Sequence, residues 1–78
     1  MYNFMGETNE QRADRFKRLA TKRTNTVLDR IRVLGNCANK SAYEYSEAEI
    51  NKIFSEIDRL LKETKTKFNF SKNKEFKL

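Results

Sequence analysis

Apolar residues recur at helical spacing in two stretches of this chain, and a polar stretch of about ten residues separates them. The first stripe consists of Phe16, Ala20, Val27, Ile31 and Leu34, flanked by Leu19 and Leu28. The second consists of Ile50, Ile53, Phe54, Ile57, Leu60 and Leu61. Spacings of three, four and seven place each set on one side of a helix. The pattern predicts helices over about Asn9 to Leu34 and about Glu47 to Thr64, each with its stripe in a core.

The start of the second helix is marked by residues at the offsets that capping requires. Ser46 can cap the helix, and the Glu49 side chain can bond back to the Ser46 amide. Tyr45 can pack on Ile50 as a hydrophobic staple. The sequence therefore predicts a capping box at this end.

The first helix also has start and stop signals. Thr8 or Asn9 can cap its start, and Glu10 lies in the first turn, where an acid favours the helix dipole. Gly35-Asn36 is the kind of pair that ends a helix in the left-handed conformation. The chain has no proline, which fits uninterrupted helices.

Two helices joined by a loop over 36–45 predict an all-α fold, an antiparallel two-helix hairpin. A chain of 78 residues makes one small domain, here assigned to 1–68, with a basic tail over 69–78. Two helices leave part of each apolar stripe open. A C-terminal third segment or dimerisation into a four-helix bundle would complete the core.

Residue types that catalysis and metal binding need are scarce. Cys37 is the sole cysteine and there is no histidine, so disulfides, Cys/His zinc sites and histidine acid–base chemistry lack their parts. We expect no enzyme activity, no cofactor, no metal and no small-molecule substrate. Cys37 is interpreted as a small apolar plug.

Nothing in the pattern predicts a membrane partner. No apolar run approaches the roughly 18 residues of a membrane span. Met1 to Gly6 lacks the charged start and the apolar stretch of a signal peptide. The expected location is the cytoplasm.

The net charge of +6 is unevenly distributed. From Glu7 to Gly35 the chain has 8 basic and 4 acidic residues, from Asn36 to Leu61 it has 3 and 5, and from Lys62 to Leu78 it has 6 and 2. Two basic segments therefore flank an acidic one. This distribution suits a polyanionic partner such as nucleic acid or a nucleoprotein complex, and it is equally typical of soluble charged helices.

A row of cations runs along the first helix, away from its apolar stripe. It consists of Arg12, Arg15, Arg18 and Lys22, at spacings of three, three and four. A row over roughly 15 Å of helix matches a phosphate backbone better than a point ligand. Asp14 can neutralise Arg18 at i, i+4.

Arg23 interrupts the apolar stripe, and Arg30 follows it after seven residues. One interpretation pairs Arg23 with an acid of the second helix, namely Glu49, Glu56 or Asp58. The other directs Arg23 and Arg30 into a groove where they contact a phosphate or carboxylate.

Aromatic residues outside the helices are further candidates. Tyr43, in the loop, can cover the end of the hairpin or stack on a partner. In the tail, rings alternate with cations at Lys67, Phe68, Phe70 and Lys72, as in binders of single-stranded nucleic acid. The same alternation could form a short strand with Met1 to Met5, and a frayed tail is the third alternative.

Four segments of the chain carry a resemblance. They are RFKRLATKRTN at 15–25, VLGNCANKSAYEY at 33–45, IFS at 53–55 and KETK at 62–65. Over roughly Arg15 to Phe68 the chain resembles a group of short, basic helical proteins found in low-GC Gram-positive bacteria and their mobile elements, phages and plasmids. The resemblance implies a setting, and it implies no mechanism.

The sequence supports three functional hypotheses. The first is a small non-enzymatic nucleic-acid-binding accessory protein, from the cation row and the basic tail. The second is an inhibitor encoded by a phage or plasmid, of the anti-CRISPR kind, that binds a host protein of a defence nucleoprotein. The third is a structural protein that forms a homodimer or binds one partner through its apolar stripes.

Overall fold

The computed structural model describes residues 8–68, 70 and 78. Its elements are helix α1 (Asn9–Gly35), a short 3-10 helix (Asn36–Ala38) and helix α2 (Glu47–Lys65). All regular structure in the described residues is helical, which confirms the all-α class and the two predicted long helices. Both helices extend one residue beyond their predicted C-terminal ends.

The chain divides into two compact units, Met1–Tyr43 and Glu44–Leu78, and each is described by itself. The boundary lies in the loop between the helices. The assignment of 1–68 to one domain and of 69–78 to a tail stays a prediction, and most of that tail lies outside the described residues.

Both helices begin with a reciprocal pair of hydrogen bonds. At α2 the Glu49 amide donates to Ser46 Oγ at 3.1 Å, and the Ser46 amide donates to Glu49 Oε1 at 2.8 Å. At α1 the Gln11 amide donates to Thr8 Oγ1 at 3.0 Å, and the Thr8 amide donates to Gln11 Oε1 at 2.9 Å. Two amides that have no partner within each helix are thereby satisfied. The Ser46 cap is confirmed, and Thr8 is the α1 cap.

The predicted staple at the start of α2 has the burial that it needs. Tyr45 and Ile50 are both half-buried, in a unit where most side chains are exposed. They occupy the position before the cap and the fourth helical position, which are the two positions a staple joins.

The predicted left-handed stop at Gly35-Asn36 is wrong. Gly35 has φ −58° and ψ −24°, Asn36 has φ −66° and ψ −19°, and both are therefore right-handed. The chain tightens into the 3-10 helix, and the Asn36 amide donates to the Val33 carbonyl. Because that tightening satisfies the end of the helix, no positive φ is required here.

Asn39 organises the rest of the loop. Its carbonyl accepts from the amides of Ala42 at 3.1 Å and Tyr43 at 3.0 Å. Its side-chain oxygen accepts from the Ser41 amide at 3.0 Å. Asparagine favours such turns because its side chain can replace a backbone acceptor.

The end of α2 is closed by local bonds. The Thr66 hydroxyl donates to the Glu63 carbonyl at 2.6 Å, and the Lys67 and Phe68 amides donate to the carbonyls of Thr64 and Lys65 at 3.0 Å. These bonds satisfy carbonyls that the last helical turn leaves without partners.

Burial of the apolar stripes in a core stays a prediction. No described residue is buried, and Phe16 is 56% exposed, Val27 48% and Phe54 46%. Leu19, Leu34 and Ile57 are half-buried at most. A helix cannot cover its own stripe, so burial requires another surface. Cys37, expected as an apolar plug, is exposed as a free thiol.

Replacing Ser46 with alanine should remove the α2 capping box and lower the free energy of unfolding by about 1 kcal/mol. Loss of α2 helicity, followed by far-UV circular dichroism during thermal unfolding, measures the effect. Ser55→Ala is the matched control, because Ser55 lies inside α2, where alanine is the better helix former. Equal effects of the two changes would contradict a capping role.

Replacing Gly35 with alanine should stabilise the chain by about 0.4–1 kcal/mol. The backbone at Gly35 is right-handed, and an added Cβ would meet nothing within 4 Å. Ala13→Gly, inside α1, should have the opposite effect, of about 1 kcal/mol. Urea denaturation of both variants checks the signs, and a destabilised Gly35→Ala chain would indicate a left-handed Gly35 in solution.

Candidate nucleic-acid interface

The cation row lies on one uninterrupted helix. Arg12, Arg18 and Lys22 are exposed, and Arg15 is half-buried. At 1.5 Å per residue the row extends over roughly 15 Å of α1. The Thr26 hydroxyl donates to the Lys22 carbonyl at 3.1 Å, and the weak helix formers at 24–26 remain helical. The cations therefore keep the spacing that the sequence predicts.

Within the described residues, no carboxylate neutralises three cations of the row, Arg12, Arg18 and Lys22. Arg12 Nη1 lies 3.4 Å from Asn9 Oδ1, which is an uncharged acceptor. No ion pair joins Asp14 to Arg18 within the described residues, so Asp14 does not neutralise Arg18 as the spacing predicted. Arg18 and Lys22 thus have no carboxylate partner in this part of the chain. Exposed cations in that state are available to phosphates.

Arg23 and Arg30 are exposed and lie along the edge of the α1 apolar stripe. Glu56, one of the acids named as a partner for Arg23, is bonded to Arg59 in its own helix. The structural and the ligand-binding interpretations of Arg23 and Arg30 both stay predictions.

The aromatic candidates are strongly exposed. Tyr43 is 54% exposed, Phe68 60% and Phe70 82%. Lys67 is also exposed, and its backbone amide donates a hydrogen bond to the Thr64 carbonyl at the end of α2. Lys72 lies outside the described residues, as does Met1 to Met5, the predicted partner strand. Stacking on bases by these rings stays a prediction.

An ion-pair network on α2 was not predicted from the sequence. Arg59 Nε donates to Glu56 Oε1 at 3.2 Å, and Arg59 Nη1 donates to Glu63 Oε2 at 3.1 Å. The hydrogen bond from Arg59 lowers the pKa of Glu56 below its usual 4.5, and the same bond raises the pKa of Arg59. The i, i+3 and i, i+4 spacing of opposite charges was the available signal.

Other kinds of site receive no support from the described part of the chain. It contains no group of three or more cysteine or acidic side chains that could hold a metal ion. No described helix has the length and apolar character needed to cross a membrane.

Comparison of the chain with protein-family models, curated proteins and solved structures gives no match. The evidence for an interface therefore comes from the residues of this chain alone, and its best-defined part is the cation row of α1.

Replacing Arg59 with glutamine should lower α2 helicity slightly at neutral pH, since exposed ion pairs contribute little. The folded-state pKa of Glu56 is depressed, so its contribution is present above 4.5 and is lost as the pH falls through the folded value. The difference between wild type and variant should therefore vanish in acid. Circular dichroism across pH 2–7, with Lys52→Gln as the control cation on α2, measures it. A difference that persists in acid would contradict the ion pair.

Proposed function

We propose that this chain is a small non-enzymatic nucleic-acid-binding protein that uses the cation row of α1 as its contact surface. The observation that carries the proposal is the state of Arg18 and Lys22, which are exposed and have no carboxylate partner in the described residues. Arg12, at one end of the row, donates to the side-chain amide oxygen of Asn9, which is uncharged.

A row of this kind fits a phosphate backbone for a geometric reason. Duplex DNA presents a phosphate on each strand about every 3.4 Å along its axis, so roughly 15 Å of helix faces several phosphates. Each neutralised phosphate releases counterions, which makes binding favourable at low salt and independent of base sequence. Arginine and lysine can bond to phosphates or to guanine edges, and we propose that this row binds the phosphate backbone.

The rest of the proposal concerns the fold and the setting. Antiparallel pairing of α1 with α2 as a hairpin would cover part of both apolar stripes. Lys67, Phe68 and Phe70 would add stacking and charge on single-stranded segments. The resemblance to short proteins of Gram-positive bacteria and their phages and plasmids implies a mobile element as the setting, and we propose a cytoplasmic accessory protein of such an element.

Reversing the charge of the four row residues tests the proposal. The variant Arg12→Glu, Arg15→Glu, Arg18→Glu and Lys22→Glu should lose measurable binding to a fluorescent DNA or RNA at low salt. In wild type, log affinity should fall with log salt with a slope of about −3 to −4 if all four cations contact phosphates. Fluorescence anisotropy at several salt concentrations measures both quantities.

A control with the same change in net charge separates the row from overall charge. It carries Lys40→Glu, Lys52→Glu, Lys62→Glu and Lys77→Glu, all outside the row. This control should retain most of the binding, and circular dichroism should show helical signal in both variants. Equal loss in the two variants, or wild-type affinity in the row variant, would overturn the proposed interface.

Purification of the tagged chain from its host, with and without nuclease, separates the remaining alternatives. Nucleic acid recovered without a stoichiometric protein supports the proposal. A single protein complex that survives nuclease would instead favour an inhibitor of a host nucleoprotein, of the anti-CRISPR kind.

A further inference from the structure

The apolar stripe of α2 is wider than one neighbouring helix covers. Ile50 and Ile57, seven residues apart, form its midline. Ile53 and Leu60 lie on one flank, and Phe54 and Leu61 lie on the other. At about 100° per residue these positions span about a third of the helix circumference. Stripes that include both flanks are typical of helices in bundles rather than of a single seam.

The two flanks differ in the charges beside them. The flank of Ile53 and Leu60 borders Glu49, Glu56 and Glu63, which recur every seven residues. These carboxylates are bonded within α2, Glu49 to the Ser46 amide and the other two to Arg59. The acidic side chains along that flank therefore already have partners in α2 or its cap.

The ends of α2 carry charges that its own helix leaves unpaired. Glu47 lies in the first turn, and Lys62 and Lys65 lie in the last. In the described residues none of these three side chains forms an ion pair. Glu47 and Lys65 share one side of α2 with Phe54 and Leu61, since their spacings of seven and four bring them to that flank.

We propose that the Phe54 and Leu61 flank of α2 binds the same flank of α2 in a second copy of this chain, with the two helices antiparallel. A two-fold axis between Ile57 and Asp58 then places Phe54 of each copy against Leu61 of the other. The same axis leaves Glu47 of each copy three residues, or about 4.5 Å along the helix, from the position opposite Lys65 of the other, a distance that these long side chains can span.

Charge is the reason for choosing a second copy as the occupant. An antiparallel partner must present a basic end towards Glu47 and an acidic end towards Lys65, and a second α2 has acids in its first turn and lysines in its last. Helix α1 suits the lysine end poorly, because its N-terminal half, residues 9–22, which antiparallel pairing would bring there, carries 5 basic and 2 acidic residues. The interface does not use the cation row, so its failure would leave the proposed nucleic-acid binding intact.

Sedimentation equilibrium of the full chain tests the proposal with two adjacent leucines. The wild type should reach twice its 9.3 kDa chain mass at micromolar concentration. Leu61→Ala, which truncates two interface side chains per dimer, should raise the dimer dissociation constant at least about tenfold. Leu60→Ala is the matched control, since Leu60 and Leu61 are 54% and 52% exposed but lie on opposite flanks. A monomeric wild type, or equal effects of the two changes, would overturn the proposal.

A charge exchange tests the antiparallel orientation. Glu47→Lys alone should weaken the dimer, because it places two lysines together at each end. Adding Lys65→Glu should restore dimerisation. Helix stability cannot cause this rescue, since the double variant places charges against the helix dipole at both ends. Absence of rescue would overturn the antiparallel pairing.

Cross-linking locates the two-fold axis. In a Cys37→Ser background, a short bismaleimide should link two copies of the Asp58→Cys variant but not two copies of the Glu63→Cys variant, whose thiol lies on the opposite flank. Efficient linking at Glu63, or none at Asp58, would overturn the proposed contact.

Discussion

The reciprocal hydrogen bonds of the two capping boxes fix where the helices of this chain begin, and much else depends on them. Thr8 with Gln11 and Ser46 with Glu49 satisfy amides that no helical carbonyl can reach. The caps decide which residues are helical, and the spacing of those residues decides which side chains share a side. The cation row and the apolar stripe both lie within the helices that these caps begin.

Local interactions of this kind satisfy the backbone but bury no apolar surface. Most of the stability of protein helices comes from packing of an apolar stripe, and no described residue is buried. Burial of the apolar stripes of α1, with 27 residues, and α2, with 19, therefore requires another surface beside each helix.

The sequence predicted the secondary structure well because capping and periodicity are local. Helix starts were placed at the observed residues, and both ends were within one residue. The conformation of Gly35 was predicted wrongly. The same residue types can end a helix in the left-handed conformation or continue it as a 3-10 helix, and the two outcomes differ only in the path of the chain after Asn36. Asn39 was overlooked for a similar reason, because its bonds depend on the turn formed by residues 40–43. The cation row was predicted from spacing alone. Spacing does not identify the molecule that the row would bind.

The charges of the two helices differ in how they are paired, and this difference bears on the proposed binding and the proposed dimer. On α2, the glutamates beside Arg59 are paired within the helix, so they contribute little to any external field. On α1, Arg18 and Lys22 form no ion pair within the described residues, so the proposed contact with phosphate would not have to break one. A dimer formed through α2 would carry two such rows without consuming either. Binding of the second row to one nucleic acid then becomes intramolecular, so affinity should grow with the length of the nucleic acid although no new kind of contact is made.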